Sequence, residues 1–173
     1  VGPLKTYVSE TFSDPGKTTT HLITADFYTF PRLSPDGTKF LSVAEEPDPL
    51  GGLTSNLHVR RVVDGVELFS IANVDAGDWS PDGKKVVFAS YPRARFDPDL
   101  VSMYTYDVAT AAETRLPAIR IAGIGEVNTY SPRWSPSGDW IAYQRHNQDT
   151  VDIMLTDPAG STTRILATRP IGQ

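Results

Sequence analysis

A tetrapeptide that recurs three times in one local setting constrains this chain more than any other feature. It reads Ser34-Pro35-Asp36-Gly37, Ser80-Pro81-Asp82-Gly83 and Ser135-Pro136-Ser137-Gly138. Each copy follows a short lead-in: Pro31-Arg32-Leu33, Gly77-Asp78-Trp79 and Pro132-Arg133-Trp134. Each precedes an apolar run: Phe40–Val43, Val86–Ala89 and Trp140–Tyr143. The copies stand 46 and 55 residues apart (34 to 80, 80 to 135). Repetition near that period marks an architecture built from one supersecondary unit used several times. Such folds work mainly through the loops between units.

The runs around each copy alternate with a period of two and are bounded by turn residues, which is strand patterning. Proline presets φ, the aspartate side chain bonds its own backbone, and glycine accepts a positive φ, so each tetrapeptide is a turn between two strands. A second hairpin follows each first one. Its strands are Asn56–Arg60 and Val66–Ile71, then Val101–Asp107 and Glu113–Leu116, then Val151–Asp157 and Thr162–Leu166. The unit therefore holds four antiparallel strands, a to d, which fits a β-propeller blade. Leu4–Ser9 and Thr19–Thr24 match strands c and d of a further unit, with Asp14-Pro15-Gly16 between them. No stretch carries helical periodicity, and fourteen prolines disfavour long helices.

The expected organisation is thus a single all-β domain, 1–173, made of a half blade at 1–27 and blades at 28–74, 75–127 and 128–170. Propellers close with about four to eight blades. Three and a half blades read as part of a larger ring, one piece of a nicked ring, or one copy in an oligomer whose members complete each other, because exposed blade edges invite pairing.

Gly77-Asp78-Trp79-Ser80-Pro81-Asp82-Gly83-Lys84-Lys85-Val86-Val87-Phe88, with Tyr104-Thr105-Tyr106-Asp107 and Thr114-Arg115-Leu116 after it, resembles the WD40-like PD40 propeller repeat of TolB-type proteins. Pro132–Gly138 with Asp152–Asp157 is a second copy of that pattern; the copy at Leu33 departs from it, with leucine in place of tryptophan. The resemblance implies a propeller that binds partner proteins without catalysis, in the periplasm or outside the cell. Similar blades form the substrate-filtering propeller of prolyl-oligopeptidase-family serine peptidases, and others occur in propeller lyases and in outer-membrane-associated proteins. Two alternatives follow: the propeller portion of a peptidase or carbohydrate-processing enzyme, and a structural subunit of an envelope or filament assembly.

The chain carries no Gly-x-Ser-x-Gly elbow, and a serine nucleophile needs a base beside it. Three serines in one repeated turn are better explained by turn construction. His21, His58 and His146 fall at unrelated repeat positions without zinc-site spacing. With no cysteine in the chain, thiolate metal sites and disulfides are excluded. A Ca²⁺ site from Asp48, Asp97 or Asp99 has no ligand-loop spacing behind it. The reading assigns no cofactor and no metal.

The b–c loops carry the strongest local signal. Glu45–Gly52 and Tyr91–Leu100 are longer than a hairpin needs, against a shorter Arg145–Thr150. In a propeller these loops share one rim with the d–a connections, opposite the repeated turns. The candidate partner-binding residues are Glu46, Asp48, Tyr91, Arg93, Arg95, Phe96, Asp97, Arg145 and His146. Tyrosine, arginine and phenylalanine are types enriched at interfaces. The repeat-following aromatics Trp79, Phe88, Tyr104, Tyr106, Trp134 and Tyr143 are expected to pack blade against blade, with Trp140 exposed. A net charge of −5 with scattered basic residues argues against a nucleic-acid partner. No segment has the run of about 20 apolar residues needed to span a bilayer as a helix.

Overall fold

The computed structural model describes residues 6–11, 18–24, 28–49, 51–91, 101–117, 120–121, 125–126, 128–147 and 149–171. Every regular element among them is a strand. Three four-stranded antiparallel sheets follow one another along the chain. The first blade comprises β3 (Tyr28–Leu33), β4 (Lys39–Pro47), β5 (Leu53–Arg61) and β6 (Glu67–Ile71). The second comprises β7 (Val74–Trp79), β8 (Lys85–Ser90), β9 (Ser102–Asp107) and β10 (Glu113–Arg115). The third comprises β13 (Asn128–Trp134), β14 (Ile141–His146), β15 (Thr150–Thr156) and β16 (Thr163–Pro170). Strands β1 (Thr6–Thr11) and β2 (Thr18–Thr24) pair as a hairpin ahead of the first blade. The sequence reading missed a two-residue hairpin, β11 (Arg120–Ile121) with β12 (Gly125–Glu126), between the second and third blades.

Turn chemistry sets the a–b corners. In the first, the Ser34 hydroxyl accepts the Lys39 N–H at 2.9 Å and donates to Asp36 Oδ1 at 2.5 Å. Asp36 Oδ1 also takes the Thr38 N–H at 3.0 Å, and Gly37 closes the bend at φ +68°. The second corner repeats this: Lys85 N–H to Ser80 Oγ at 2.9 Å, Ser80 to Asp82 at 2.7 Å, and Gly83 at φ +68°. These hydrogen bonds hold the Asp36 and Asp82 carboxyls below the usual carboxylate range, Ser34 and Ser80 contributing most. In the third corner Ser137 replaces the aspartate, and its contacts lengthen to 3.2 Å with Ser135 and 3.4 Å with the Asp139 N–H. The three serine hydroxyls are thus absorbed by the bends.

Packing between blades follows from the two-residue period of a strand. Leu41, Val43, Leu57, Val59 and Ile71 of the first blade meet Val74, Trp79, Val86 and Phe88 of the second. Phe69 stacks on Tyr106 at 4.6 Å, and Phe88 on Tyr104 at 5.5 Å. The opposite face of the second blade, with Val87, Met103 and Leu116, meets Ile141, Tyr143, Met154 and Trp134 of the third. The expected blade-to-blade aromatics therefore sit between blades. Strand β8 is buried on both faces, and Val86, Val87 and Phe88 are all fully buried. Burying side chains of this size stabilises by roughly 1.5–3 kcal/mol each. Trp140 departs from expectation: it is half-buried, because the Arg164 guanidinium lies 4.9 Å over its ring.

The first blade's other face is different. Where the second blade carries Phe88, Tyr104 and Tyr106, the matching register positions hold Ser42, His58 and Arg60. His58, buried, has Glu67 at 2.8 Å on Nδ1 and Glu46 at 3.2 Å on Nε2, and Arg60 donates to Glu67 at 2.8 Å.

Candidate functional site

The innermost strands β3, β7 and β13 line up side by side and run from the loop rim towards the Ser-Pro turns. Each contains a register break: Thr29 to Arg32, Val74 to Ala76 and Tyr130 to Arg133. Bulges of this kind re-aim side chains and recur beside functional sites. In β13 the break puts Ser131 at φ +51°.

Below the breaks, the residue just before Leu33, Trp79 and Trp134 is charged in all three blades: Arg32, Asp78 and Arg133. Asp78 Oδ2 accepts the Trp134 N–H at 2.9 Å, while Oδ1 lies 4.0 Å from Arg32 Nε. Arg133 Nη1 donates to the Pro132 carbonyl at 2.7 Å and reaches the Gly77 carbonyl at 3.4 Å. Burial pushes the Asp78 carboxyl up, offset in part by the Trp134 N–H and then by Arg133 and Arg32. Burial, then the neighbouring Arg32 charge, pulls the Arg133 guanidinium down. The Trp79 indole N–H donates to the Arg32 carbonyl at 3.2 Å, tying the first two inner strands together.

Nearer the rim stand Asp75, Tyr91, Tyr130 and His146. The Tyr91 hydroxyl donates to Asp75 Oδ1 at 3.4 Å. Burial and the Asp75 charge raise both the Tyr91 and Tyr130 phenols, so both remain neutral donors at neutral pH. Tyr130 meets the His146 ring edge-on at 4.7 Å, and His146 Nε2 lies 3.2 Å from Gln144 Oε1. Tyr91 and His146 occupy matching positions at the ends of β8 and β14. The Tyr91 N–H donates to the Asn73 carbonyl at 2.8 Å. Asn73 holds φ +59°, a left-handed geometry asparagine tolerates, and its side-chain oxygen accepts from the Thr54 hydroxyl at 2.8 Å.

Of the residues singled out from sequence, Tyr91 and His146 thus reach this rim cluster. Arg145 turns inward to the buried Asp152, donating from Nε at 3.0 Å and Nη2 at 2.5 Å. Asp152 also accepts from Asn147 Nδ2 at 3.0 Å and the Thr168 hydroxyl at 2.7 Å. Burial raises the Asp152 carboxyl, but the bonds from Thr168, Arg145 and Asn147 outweigh it and hold the group low. Glu46 accepts from Asn56 at 2.5 Å beside His58, in the first blade's polar face. The Asp48 main chain closes its loop with Gly51 and Gly52. Arg93, Arg95, Phe96 and Asp97 lie outside the described residues, as does Asp99. Sequence reasoning missed Arg32, Asp75, Asp78, Tyr130 and Arg133. Superposing the three lead-ins exposes the charged position before Leu33, Trp79 and Trp134. Among the described residues, no group of three or more histidine, aspartate or glutamate side chains is placed to hold a metal ion. No described helix is long and apolar enough to cross a membrane.

Sheets of this kind, packed face to face around inner strands, define a β-propeller. Solved structures agree on that fold. TolB from Acinetobacter baumannii superposes with a TM-score of 0.65 at 17% identity, over 93% of this chain and 37% of that one. The β-propeller domain of the Trilobed protease from Pyrococcus furiosus gives 0.58 at 15% identity, over 83% of this chain and 42% of that one. Pyrococcus horikoshii acylaminoacyl peptidase gives 0.59 at 12% identity, over 83% and 25%. The chain is also 36% identical over 106 residues to the uncharacterized protein Atu1656 of Agrobacterium fabrum, covering 54% of this chain and 33% of that protein. The chain thus spans about a third of the length of that curated relative. No family model matches the chain.

Proposed function

We propose that this chain is a non-catalytic β-propeller binding module that engages a protein or peptide partner at the rim where its inner strands begin. The observation that carries this is the group of Tyr91, Tyr130, Asp75 and His146, which blade packing leaves half-buried or exposed at the mouth of the inner strands. Tyrosine and histidine beside a carboxylate offer apolar area and hydrogen bonding together, the mix that binding surfaces favour. The Tyr91–Leu100 loop, with Arg93, Arg95, Phe96 and Asp97, belongs to the same reading, as do Glu46 and Asp48 across the rim. Arg145 acts there as a support beneath His146. The TolB-like fold favours a protein partner, a periplasmic or extracellular location, and a ring completed by further blades or by another copy.

A second reading is kept by a specific observation. Peptidase propellers also superpose on this chain, less closely than TolB does, so the module also fits the filter of a serine peptidase whose catalytic domain is separate. Fluorescence anisotropy with fluorescein-tagged randomised hexapeptides tests the binding reading. The pool is expected to bind, and Tyr91→Ala and His146→Ala are expected to weaken it at least about ten-fold. Binding that both variants leave unchanged overturns the rim assignment. Cleavage of the pool by the chain alone, read by mass spectrometry, overturns the non-catalytic assignment.

A further inference from the structure

We propose that Arg32 and Arg133 form a carboxylate-binding subsite on the inner strands, which takes the α-carboxylate or an acidic side chain of a peptide entering from the rim. This rests on the peptide-binding reading and adds the chemistry selected further along those strands.

The unused donors argue for it first. Arg32 and Arg133 stand among two carboxylates, Asp78 and Asp75, yet most of their N–H groups find no acceptor there. Asp78 is already engaged by the Trp134 N–H at 2.9 Å, and it stands 4.0 Å from Arg32 Nε, beyond hydrogen-bond reach. Among the described residues, no acceptor takes an Arg32 N–H within that reach, and the side chain is 46% exposed. Arg133 uses only Nη1, towards Pro132 and Gly77, and no described acceptor takes its Nε or Nη2. A guanidinium presents its donors in a planar fork that matches a carboxylate. Such a charge-assisted bond is shorter and stronger than one between neutral groups.

The placement argues for it second. Both arginines are delivered by one device, a register break followed by Pro-Arg: Pro31-Arg32 in β3 and Pro132-Arg133 in β13. The intervening blade has Gly77-Asp78 instead. The subsite thus draws on non-adjacent blades, with Asp78 between them holding the Trp134 backbone. Tyr130 stands on the same strand as Arg133, three residues nearer the rim, or roughly 10 Å of strand. A peptide that lies against Tyr130, Tyr91 and Asp75 therefore puts a carboxylate two or three residues further in at the arginines. Asp75 near the rim and the arginines further along the inner strands would orient such a peptide with its carboxylate inward.

The test uses the 173-residue chain and three fluorescein-tagged randomised hexapeptide pools, read by anisotropy at low salt. The first pool has a free C-terminal carboxylate and no Asp or Glu. The second is the same pool amidated, and the third is amidated with one Glu. The expected result is binding of the first or third pool at least about ten-fold tighter than the second, weakened by salt. Preference for the first identifies the α-carboxylate; preference for the third identifies the side chain. Arg32→Gln, on an exposed side chain, and Arg133→Gln should each remove that preference. Arg133→Lys should keep part of it, and Asp78→Asn, which retains an acceptor for Trp134, should tighten binding. Circular dichroism establishes that each variant is folded. Equal binding of all three pools that remains sensitive to Tyr91→Ala overturns the subsite and leaves the rim reading standing. Binding of no pool overturns both.

Discussion

Arg145→Met strands a carboxylate inside the third blade. Asp152 is 2% exposed and receives hydrogen bonds from Arg145, Asn147 and Thr168. Removing one partner of a buried ion pair costs about 3–5 kcal/mol, because the remaining charge is left uncompensated. Two neutral donors stay in place here, so the low end applies, about 3 kcal/mol. With a urea m-value of about 2 kcal/mol/M, the unfolding midpoint should fall by about 1.5 M. The double variant Arg145→Met/Asp152→Leu removes both charges and should cost less than the single one, about 1–2 kcal/mol, mostly for the orphaned Asn147 and Thr168 groups. The pH dependence has a definite sign. Asp152 is depressed in the folded protein, so the stability it contributes is present above its unfolded value of about 3.9 and is lost as pH falls through its folded value. In Arg145→Met burial dominates and the carboxyl rises. The gap between wild type and variant should therefore narrow on acidification below about pH 4. Urea titrations followed by circular dichroism at pH 7 and in that acid range measure both effects. A midpoint shift under about 0.3 M, or a double variant as unstable as the sum of the singles, refutes the reasoning.

Three other perturbations test separate parts of the structure. Gly77→Ala puts a Cβ against Leu57 Cδ1 and the Val87 carbonyl where the first two blades approach, and should destabilise by about 1–3 kcal/mol in the same urea assay. Ser137→Asp restores the carboxylate that the first two corners use, and should raise the thermal midpoint; no change would show that the aspartate contributes only locally there. Asp78 has a raised carboxyl, so its contribution is present below its unfolded value and is lost as pH rises through its folded value. Asp78→Asn should flatten that dependence while Asp78→Ala, which leaves the Trp134 N–H without its acceptor, destabilises at every pH.

The blades were legible in the chain because their signals are local. Ser-Pro-Asp-Gly makes its own hydrogen bonds within six residues, and alternation along β8 or β14 names the buried faces without reference to neighbours. The inner strands were not legible in the same way. Their register breaks move Arg32 and Arg133 relative to a plain two-residue period, and a bulge is decided by what the next blade requires. Asp152 reads in sequence as an ordinary strand acid; only the return of β16 past β15 places Thr168 on it and encloses it. Arg145 illustrates the cost of that gap. Beside His146 and Asn147 it reads as a loop-mouth cation, yet its partner lies seven positions on in the neighbouring strand. Chain position alone was enough to place Tyr91 and His146 at the strand ends near the rim.

The second blade, with β8 enclosed on both sides, has a kinetic consequence. In arrays where each unit contacts only its neighbours, stability is a sum of unit terms and interface terms. The second blade owns two of those interfaces, with the first and third blades. Backbone amides of Val86–Phe88 should then exchange with deuterium last, at the free energy of global opening, while outer strands open by smaller local events. Asp78, which ties β7 to Trp134 of the third blade, belongs to that slow unit. The amides on either side of Asp78 in β7 should therefore exchange with that same slow unit.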